Sequence, residues 1–383
     1  MREPVLCFCN SNRAWGGGEK WHLEAALAMA GRGVRVLVAS AEGTPLLEKA
    51  RACPGVVAIP VSFSSLDFLN PFAIHSFSAI LKQHGVTRLI LGLPADLKAA
   101  GMAAKIAGVP GIFYRRGSAL PVRNSLLNRM LYGMLTGLIV NSQETRRLAL
   151  VNNPGLISRE RIHVLPNGID AESFDAELAV SSPEFRRADD PSRFWIIGNA
   201  GRLTRQKGQK YLLHMAASLA RKAFPFRLVL AGEGELEGEL KNLAKELGVA
   251  EFVVFAGFQS RLGAFWQSID VFVLSSLWEG FGYVAAEAML AEKPVLAFDV
   301  SNMPELVFSG RSGELLPFPA ADESDADVGA RLAAAVAALA ADPEYCRSLG
   351  REGRKTCIER YGQKAAMDAL HALLWPEGPC PRA

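Results

Sequence analysis

Short apolar runs alternate with longer amphipathic stretches along most of this chain. Residues 4–9, 34–39, 56–60, 88–91, 111–114 and 138–141 have the length and composition of buried strands. Between them, residues 19–31, 71–84 and 94–107 repeat their apolar positions with a helical period. Val164-Leu165-Pro166-Asn167-Gly168-Ile169-Asp170 closes this series with a turn, and residues 171–193 lapse into polar positions ending in Asp189-Asp190-Pro191-Ser192. That stretch is predicted to be a linker. A second series follows, with strands at 194–200, 227–231, 252–256, 271–275 and 295–298 and a helical pattern from 343 to 375. Strands that take turns with helices predict parallel sheets covered on both faces. The expected fold class is therefore α/β, with two Rossmann-like doubly wound domains facing a central cleft. The first domain is expected at 1–180 and the second at 193–361, with a terminal helix at 362–377 packing back on the first.

Length supports two domains, since 383 residues exceed the size at which one core keeps growing. A net charge of +3 gives no concentrated basic face for nucleic acid. Six cysteines are scattered rather than arrayed as metal ligands. Cys7 and Cys9 fall in the first apolar run and are expected on its opposite faces. No secretory leader is visible at the start, and the longest apolar stretch, 130–140, falls short of the roughly 20 residues a membrane span takes. A cytoplasmic location is expected.

Three loops carry candidate chemistry. In the first, a buried strand ends in Ser275-Ser276-Leu277-Trp278-Glu279-Gly280-Phe281-Gly282-Tyr283, which opens a helix containing Glu287. Glycines let a backbone approach a ligand closely, and the N–H groups of a helix's first turn suit phosphate. Carboxylates accept hydrogen bonds from vicinal hydroxyls, so Glu279 and Glu287 suit the two sugars of a nucleotide sugar. In the second, Gly201-Arg202-Leu203-Thr204-Arg205-Gln206-Lys207-Gly208 follows a strand, and Arg202 and Lys207 suit a diphosphate. Arg205 is expected in solvent. The third is Gly16-Gly17-Gly18-Glu19, after the first strand, where Gly17 and Gly18 would cradle a donor phosphate. Its spacing is not the dinucleotide G-x-G-x-x-G, although Glu42 stands where an NAD enzyme places its ribose acid. Gly232-Glu233-Gly234-Glu235-Leu236-Glu237-Gly238 is set aside as a weak glycine pattern.

These loops resemble those of the retaining glycosyltransferase family 4. Glu279 and Glu287 match its E-x7-E motif around Glu-Gly-Phe-Gly, and Gly201-Arg202-Leu203 with Lys207-Gly208 is similar to its basic loop. Val164–Asp170, Ala231-Gly232-Glu233-Gly234 and Pro304-Glu305-Leu306-Val307 match further parts in the same order. The resemblance implies a GT-B fold with donor bound by the second domain and acceptor by the first. It implies that Glu287 takes the donor ribose, Glu279 the transferred sugar, and Arg202 and Lys207 the diphosphate. Gly280, Phe281, Gly282 and Tyr283 line the donor, and no metal or other cofactor is needed. Two departures stand out. Tyr114-Arg115-Arg116-Gly117 occupies the place where relatives carry a histidine, making Arg115 and Arg116 the acceptor-side candidates; Asn302-Met303 replaces glycines.

From Pro110 to Leu165 there are eight arginines, two glutamates and no lysine or aspartate. Residues 118–132 mix arginines with a leucine-methionine stripe, as a helix lying on an anionic membrane does. The partners expected are thus a nucleotide-sugar donor, preferably UDP-linked over GDP-linked, and a glycan or glycolipid acceptor such as lipopolysaccharide. Peripheral contact with the inner face of a membrane fits the same reading. Alternatives on this fold are a nucleotide-sugar epimerase, a phosphorylase and a non-catalytic sugar-nucleotide-binding module.

Overall fold

The computed structural model describes residues 4–186 and 194–376. The chain divides into two compact units, Met1–Gly168 with Gln363–Ala383, and Ile169–Gly362. The first holds strands β1 (Val5–Cys9), β2 (Arg35–Ser40), β3 (Val56–Pro60), β4 (Arg88–Leu91), β5 (Gly111–Arg116), β6 (Gly137–Val140) and β7 (Ile162–Val164). They form one parallel sheet in the order β3-β2-β1-β4-β5-β6-β7. The second holds β8 (Trp195–Ala200), β9 (Phe226–Ala231), β10 (Val253–Gly257), β11 (Val271–Leu274), β12 (Val295–Phe298) and β13 (Glu314–Leu316). Its sheet is also parallel, in the order β10-β9-β8-β11-β12-β13.

Every residue of β1, Val-Leu-Cys-Phe-Cys, is buried. A central strand with helices on both faces has no wet side, so it is apolar throughout rather than alternating. Its two faces feed different cores. Cys7 and Cys9 pack with Leu89 and Leu91, whereas Leu6 and Phe8 pack with Trp21 and Met29. The two cysteines therefore share one face, as a two-residue period requires, which corrects the expectation of opposite faces. Burial pushes the Cys7 thiol up to about 12. The terminal helix Gln363–Leu374 lays Met367, Leu370 and Leu374 into the core around Phe8 and Trp21.

The expected linker is corrected in the same way. Ala171–Ala179 is a helix of the second unit, capped by Asp170, whose carboxylate accepts from Ser173 N at 3.0 Å. The passage between the units comes at Gly168 and Ile169, earlier than residue 180. Asp189-Asp190-Pro191-Ser192 lie outside the described residues. Strands β7 and β13, three residues each, are too short to carry a period of their own. β5 runs on to Arg116, so Arg115 and Arg116 are strand residues. Of the segment 118–132, only the part that falls in the helix Leu126–Gly133 is helical, which leaves Arg123 outside the helix.

Each sheet reverses its strand order once, at β1/β4 and at β8/β11. At such a reversal the loops after the two neighbouring strands leave toward opposite faces. The crevice they open is where ligands bind in α/β sheets.

Candidate active site

At the β8/β11 reversal, the loops after the two strands are bound to each other. Leu277 N donates to Gln206 O at 2.8 Å, Gln206 Nε2 to Trp278 O at 2.9 Å, and Ser275 Oγ to Lys207 O at 2.9 Å. The close approach requires Gly208, which has φ +62°; a β-carbon there would stand 2.2 Å from Ser275 O. The glycine pattern after β9, set aside in the sequence, does a related job. A β-carbon on Gly232 would meet Gly201 O at 2.0 Å, and Leu203 N donates to Glu233 O at 2.9 Å. That loop shapes the backbone that carries Arg202.

Two sequence candidates meet directly here. Lys207 Nζ lies 2.6 Å from Glu279 Oε1, and Ser276 Oγ donates to the same oxygen at 2.6 Å. The lysine side chain is 15% exposed and the glutamate 7%, so the pair lies largely out of water, where a charge-assisted bond is strong. Glu279 is thus no solvated loop acid. Its N–H donates to Ser301 Oγ at 3.3 Å, and Asn302 Nδ2 donates to Phe281 O at 2.7 Å. These bonds tie the loop after β12 to the glutamate loop. Asn302 is buried, and its Oδ1 has no hydrogen-bond partner.

Gly282, at φ +87°, precedes the helix Tyr283–Leu290, whose first turn has no side-chain cap. Glu287 is half-buried on this helix. It lies near Cys357, whose thiol is pushed up to about 12 by burial first, with the Glu287 charge adding. Arg202 and Arg205 are exposed, and Arg202 O accepts from Gln209 Nε2 at 3.0 Å.

The first unit has its own polar cluster at the β1/β4 reversal. Gly17 and Gly18 open the helix Gly17–Ala30 with no side-chain cap. The Arg115 guanidinium lies 4.8 Å from the Trp21 ring centre and donates to Asn167 Oδ1 at 2.7 Å. A β-carbon on Gly18 would come 3.9 Å from Arg115 Nη1, so this cation sits beside the glycine turn. Arg116 faces the other way, donating to Leu120 O. The two acceptor-side candidates are therefore not brought together.

Sequence reasoning missed four residues of this cluster. Asn10 Nδ2 donates to Glu19 Oε1 at 3.1 Å, and His22 Nδ1–H donates to Gly18 O at 2.8 Å. Burial, then the Arg115 charge, lowers His22 to about 3, so its ring is neutral. Asp96 Oδ2 accepts from Leu93 N at 3.0 Å and Ser11 N at 3.3 Å, while Oδ1 has no partner. Burial pushes this carboxyl up to about 7. Asp96 is two positions beyond Pro94 in a helix-opening pattern, the signal that could have marked it as a capping acid.

Two family models match the chain. Glycosyltransferase Family 4 covers residues 15–173, and Glycosyl transferases group 1 covers residues 182–356. The putative glycosyltransferase EpsD of Bacillus subtilis (strain 168) is 32% identical over 60% of this chain and 58% of its own length. An alpha-maltose-1-phosphate synthase of Mycolicibacterium smegmatis is 34% identical over 53% of each. The chain thus matches little more than half the length of these curated relatives. Among solved structures, HepE of Anabaena in complex with UDP and glucose superposes with a TM-score of 0.80 at 19% identity. That match covers 97% of this chain and 99% of the other. The apo lipopolysaccharide outer core galactosyltransferase WaaB superposes with a TM-score of 0.70 at 18% identity, over 98% of this chain and 100% of the other. At such identities the likeness shows the fold, two Rossmann-like domains of the GT-B type.

Proposed function

As this chain belongs to glycosyltransferase family 4, the group 1 glycosyl transferases, we propose that it moves a sugar from a nucleotide-diphosphate sugar to a hydroxyl acceptor with retention at the anomeric carbon. The observation that carries this reading is the Lys207–Glu279–Ser276 cluster at the β8/β11 reversal, where a cation and a carboxylate stand side by side and nearly dry.

In this reading Glu287 holds the donor ribose and Glu279 the hydroxyls of the transferred sugar. Arg202, Lys207 and the backbone N–H groups from Gly280 to Tyr283 take the diphosphate. The acceptor oxygen attacks C1 on the face from which the diphosphate departs. The C1–O bond breaks toward the diphosphate, and a phosphate oxygen takes the acceptor's proton. Charge grows on the leaving group as the bond breaks, so fixed cations and an uncapped helix start favour the transition state over the ground state. These groups do the work for which other transferases use a divalent metal. In this reading Asn302 Oδ1, buried and unpartnered beside the glutamate loop, would accept a hydrogen bond from the transferred sugar. In the first unit, the turn at Gly17 and Gly18 suits a phosphate, and Arg115 and Arg116 remain the acceptor-side candidates.

UDP is favoured over GDP, because the Anabaena structure similar to this chain holds UDP. The WaaB likeness favours an acceptor in lipopolysaccharide or another cell-surface glycan. Thermal-shift titration with UDP-, GDP- and ADP-sugars tests the donor, since a ligand that binds the native state raises its apparent stability. Glu287→Ala is expected to weaken the shift by about tenfold in ligand concentration, the loss of a charged hydrogen bond. Glu279→Ala is expected to keep the nucleotide and lose transfer. A protein that no nucleotide sugar stabilises, or full activity in both variants, refutes the reading.

A further inference from the structure

The helix Pro343–Tyr361 packs on Tyr283–Leu290, the helix that carries Glu287. Gly353, Cys357 and Tyr361 are four residues apart and so lie one above another on its face. A β-carbon on Gly353 would stand 3.6 Å from Met289 Cγ, and Cys357 Sγ donates to Ala286 O at 3.6 Å. Each step up one helix is a step down the other, and this antiparallel register delivers Tyr361 to the loop that opens the Glu287 helix. There its ring meets Phe281 edge-on, 5.5 Å between centres at 70°, and Phe281 meets Tyr283 in the same way at 5.3 Å and 71°. Such pairs prefer this arrangement because a ring's rim is positive and its face negative.

Packing alone would ask for phenylalanine at 361. The hydroxyl has a separate task, donating to Glu305 O at 2.5 Å. Glu305 lies in the four-residue helix Met303–Leu306 after β12, which is too short to satisfy its own last carbonyls. Burial pushes the Tyr361 phenol up to about 12, so its proton is present at neutral pH. Asn302, at the start of that short helix, donates to Phe281 O at 2.7 Å, and a β-carbon on Gly282 would meet Met303 Cε at 2.6 Å. Tyr361 therefore closes a circuit of contacts. Its edge holds Phe281, Phe281 holds Asn302, and the helix that follows Asn302 returns to its hydroxyl. Tyr361 is itself fixed from behind, since Ile169 N donates to Tyr361 O at 2.7 Å and Ile169 pairs with Gly362.

We propose that Tyr361 is a positioning residue for the donor sugar. Acting through Glu305 O and Asn302, it sets the loop after β12 against the glutamate loop, and so sets how well the transferred sugar is held. This role rests on the sugar-transfer reading, in which Asn302 Oδ1 meets that sugar while the N–H groups from Gly280 to Tyr283 meet the diphosphate.

Thermal-shift titration of the full chain with UDP-, GDP- and ADP-sugars, and with UDP, GDP and ADP, tests it. Tyr361→Phe keeps the ring and loses only the bond to Glu305 O. It is expected to need about fivefold more nucleotide sugar for half of the full shift, the share of one hydrogen bond, with the free diphosphate unchanged. A purely structural tyrosine would lower the melting point without altering the ratio between the two ligands. Tyr361→Leu also loses the edge against Phe281, so the free diphosphate too should weaken, by about fivefold. Tyr345→Phe is the control, because this hydroxyl, on the first turn of the same helix, donates to Glu314 at the start of β13. It should bind both ligands as the parent does. An unaltered ligand ratio in Tyr361→Phe, or an equal change in Tyr345→Phe, overturns the role of Tyr361 while the transfer reading stands. So does a Tyr361→Leu chain that binds the free diphosphate as the parent does. A parent chain that no nucleotide sugar stabilises overturns the transfer reading, and this role with it.

Discussion

Lys207 and Glu279 hold each other largely out of water, so each is costly to leave alone. Lys207→Ala strands a carboxylate that is 7% exposed. It is expected to destabilise the second unit by about 3 kcal/mol, as broken buried pairs do. Denaturant unfolding followed at the second unit's tryptophans checks this, and an unchanged midpoint would mean that the pair is solvated. Asp96 carries the opposite logic. Its carboxyl is raised to about 7 by burial, so the folded state favours the protonated form. That contribution is complete at pH values below the ordinary carboxylate range and is lost as pH rises toward 7. Asp96→Asn keeps an oxygen to accept from Leu93 and Ser11 and has no proton to lose. Its stability relative to the parent should therefore grow between pH 5 and pH 8 by about 2–3 kcal/mol, at 1.36 kcal/mol per pH unit. A stability difference independent of pH would show that Asp96 titrates normally.

At the scale of elements, the loops after β8 and β11 act as one piece because glycine lets their backbones touch. Gly208→Ala places a β-carbon against Ser275 O and demands a left-handed φ from alanine. A loss of at least about 2 kcal/mol is expected, with Lys207 displaced from Glu279 and nucleotide-sugar stabilisation reduced. Gly238→Ala is the comparison, since a β-carbon there meets nothing within 4 Å; it should cost little. Equal effects of the two substitutions would argue against contact between the loops. The Asn302–Phe281 bond belongs to this scale as well. It makes the loop after β12 a support for the glutamate loop.

For the whole molecule, the chain leaves the first unit at Gly168 and returns to it at Gln363. Met367, Leu370 and Leu374 fill the core around Trp21 and Phe8, so the first unit is incomplete without the last helix. Ending the chain after Gly362 removes three buried apolar side chains, worth about 1.5–3 kcal/mol each. Calorimetry should show the first unit's transition falling by several degrees or disappearing, while the second unit's stays put. Loss of both transitions together would mean that the two units unfold as one.

Much of this was legible in residues. The all-apolar β1 and β11 announce central parallel strands, because a period of neither 2 nor 3.6 survives burial on both faces. Glu279, Glu287, Arg202 and Lys207 were legible as loop chemistry, since glycines and charges at strand ends have few structural reasons to be there. The helix at 171–179 was not, for its polar composition hides a capping Asp170 and a modest apolar stripe. Nor was the cluster of Asn10, Glu19, His22 and Asp96. Single polar residues spread over 87 positions acquire meaning only when β1 and β4 become neighbours. The sequence by itself determined the fold class and which strand-end loops carry glycines and charges, because strand burial and turn chemistry are local properties. Only the tertiary structure decided that Glu279 is paired, that Arg115 and Arg116 part company, and that Gly232 supports Arg202. Those outcomes depend on which strand ends lie side by side, and strand order is written in no local pattern.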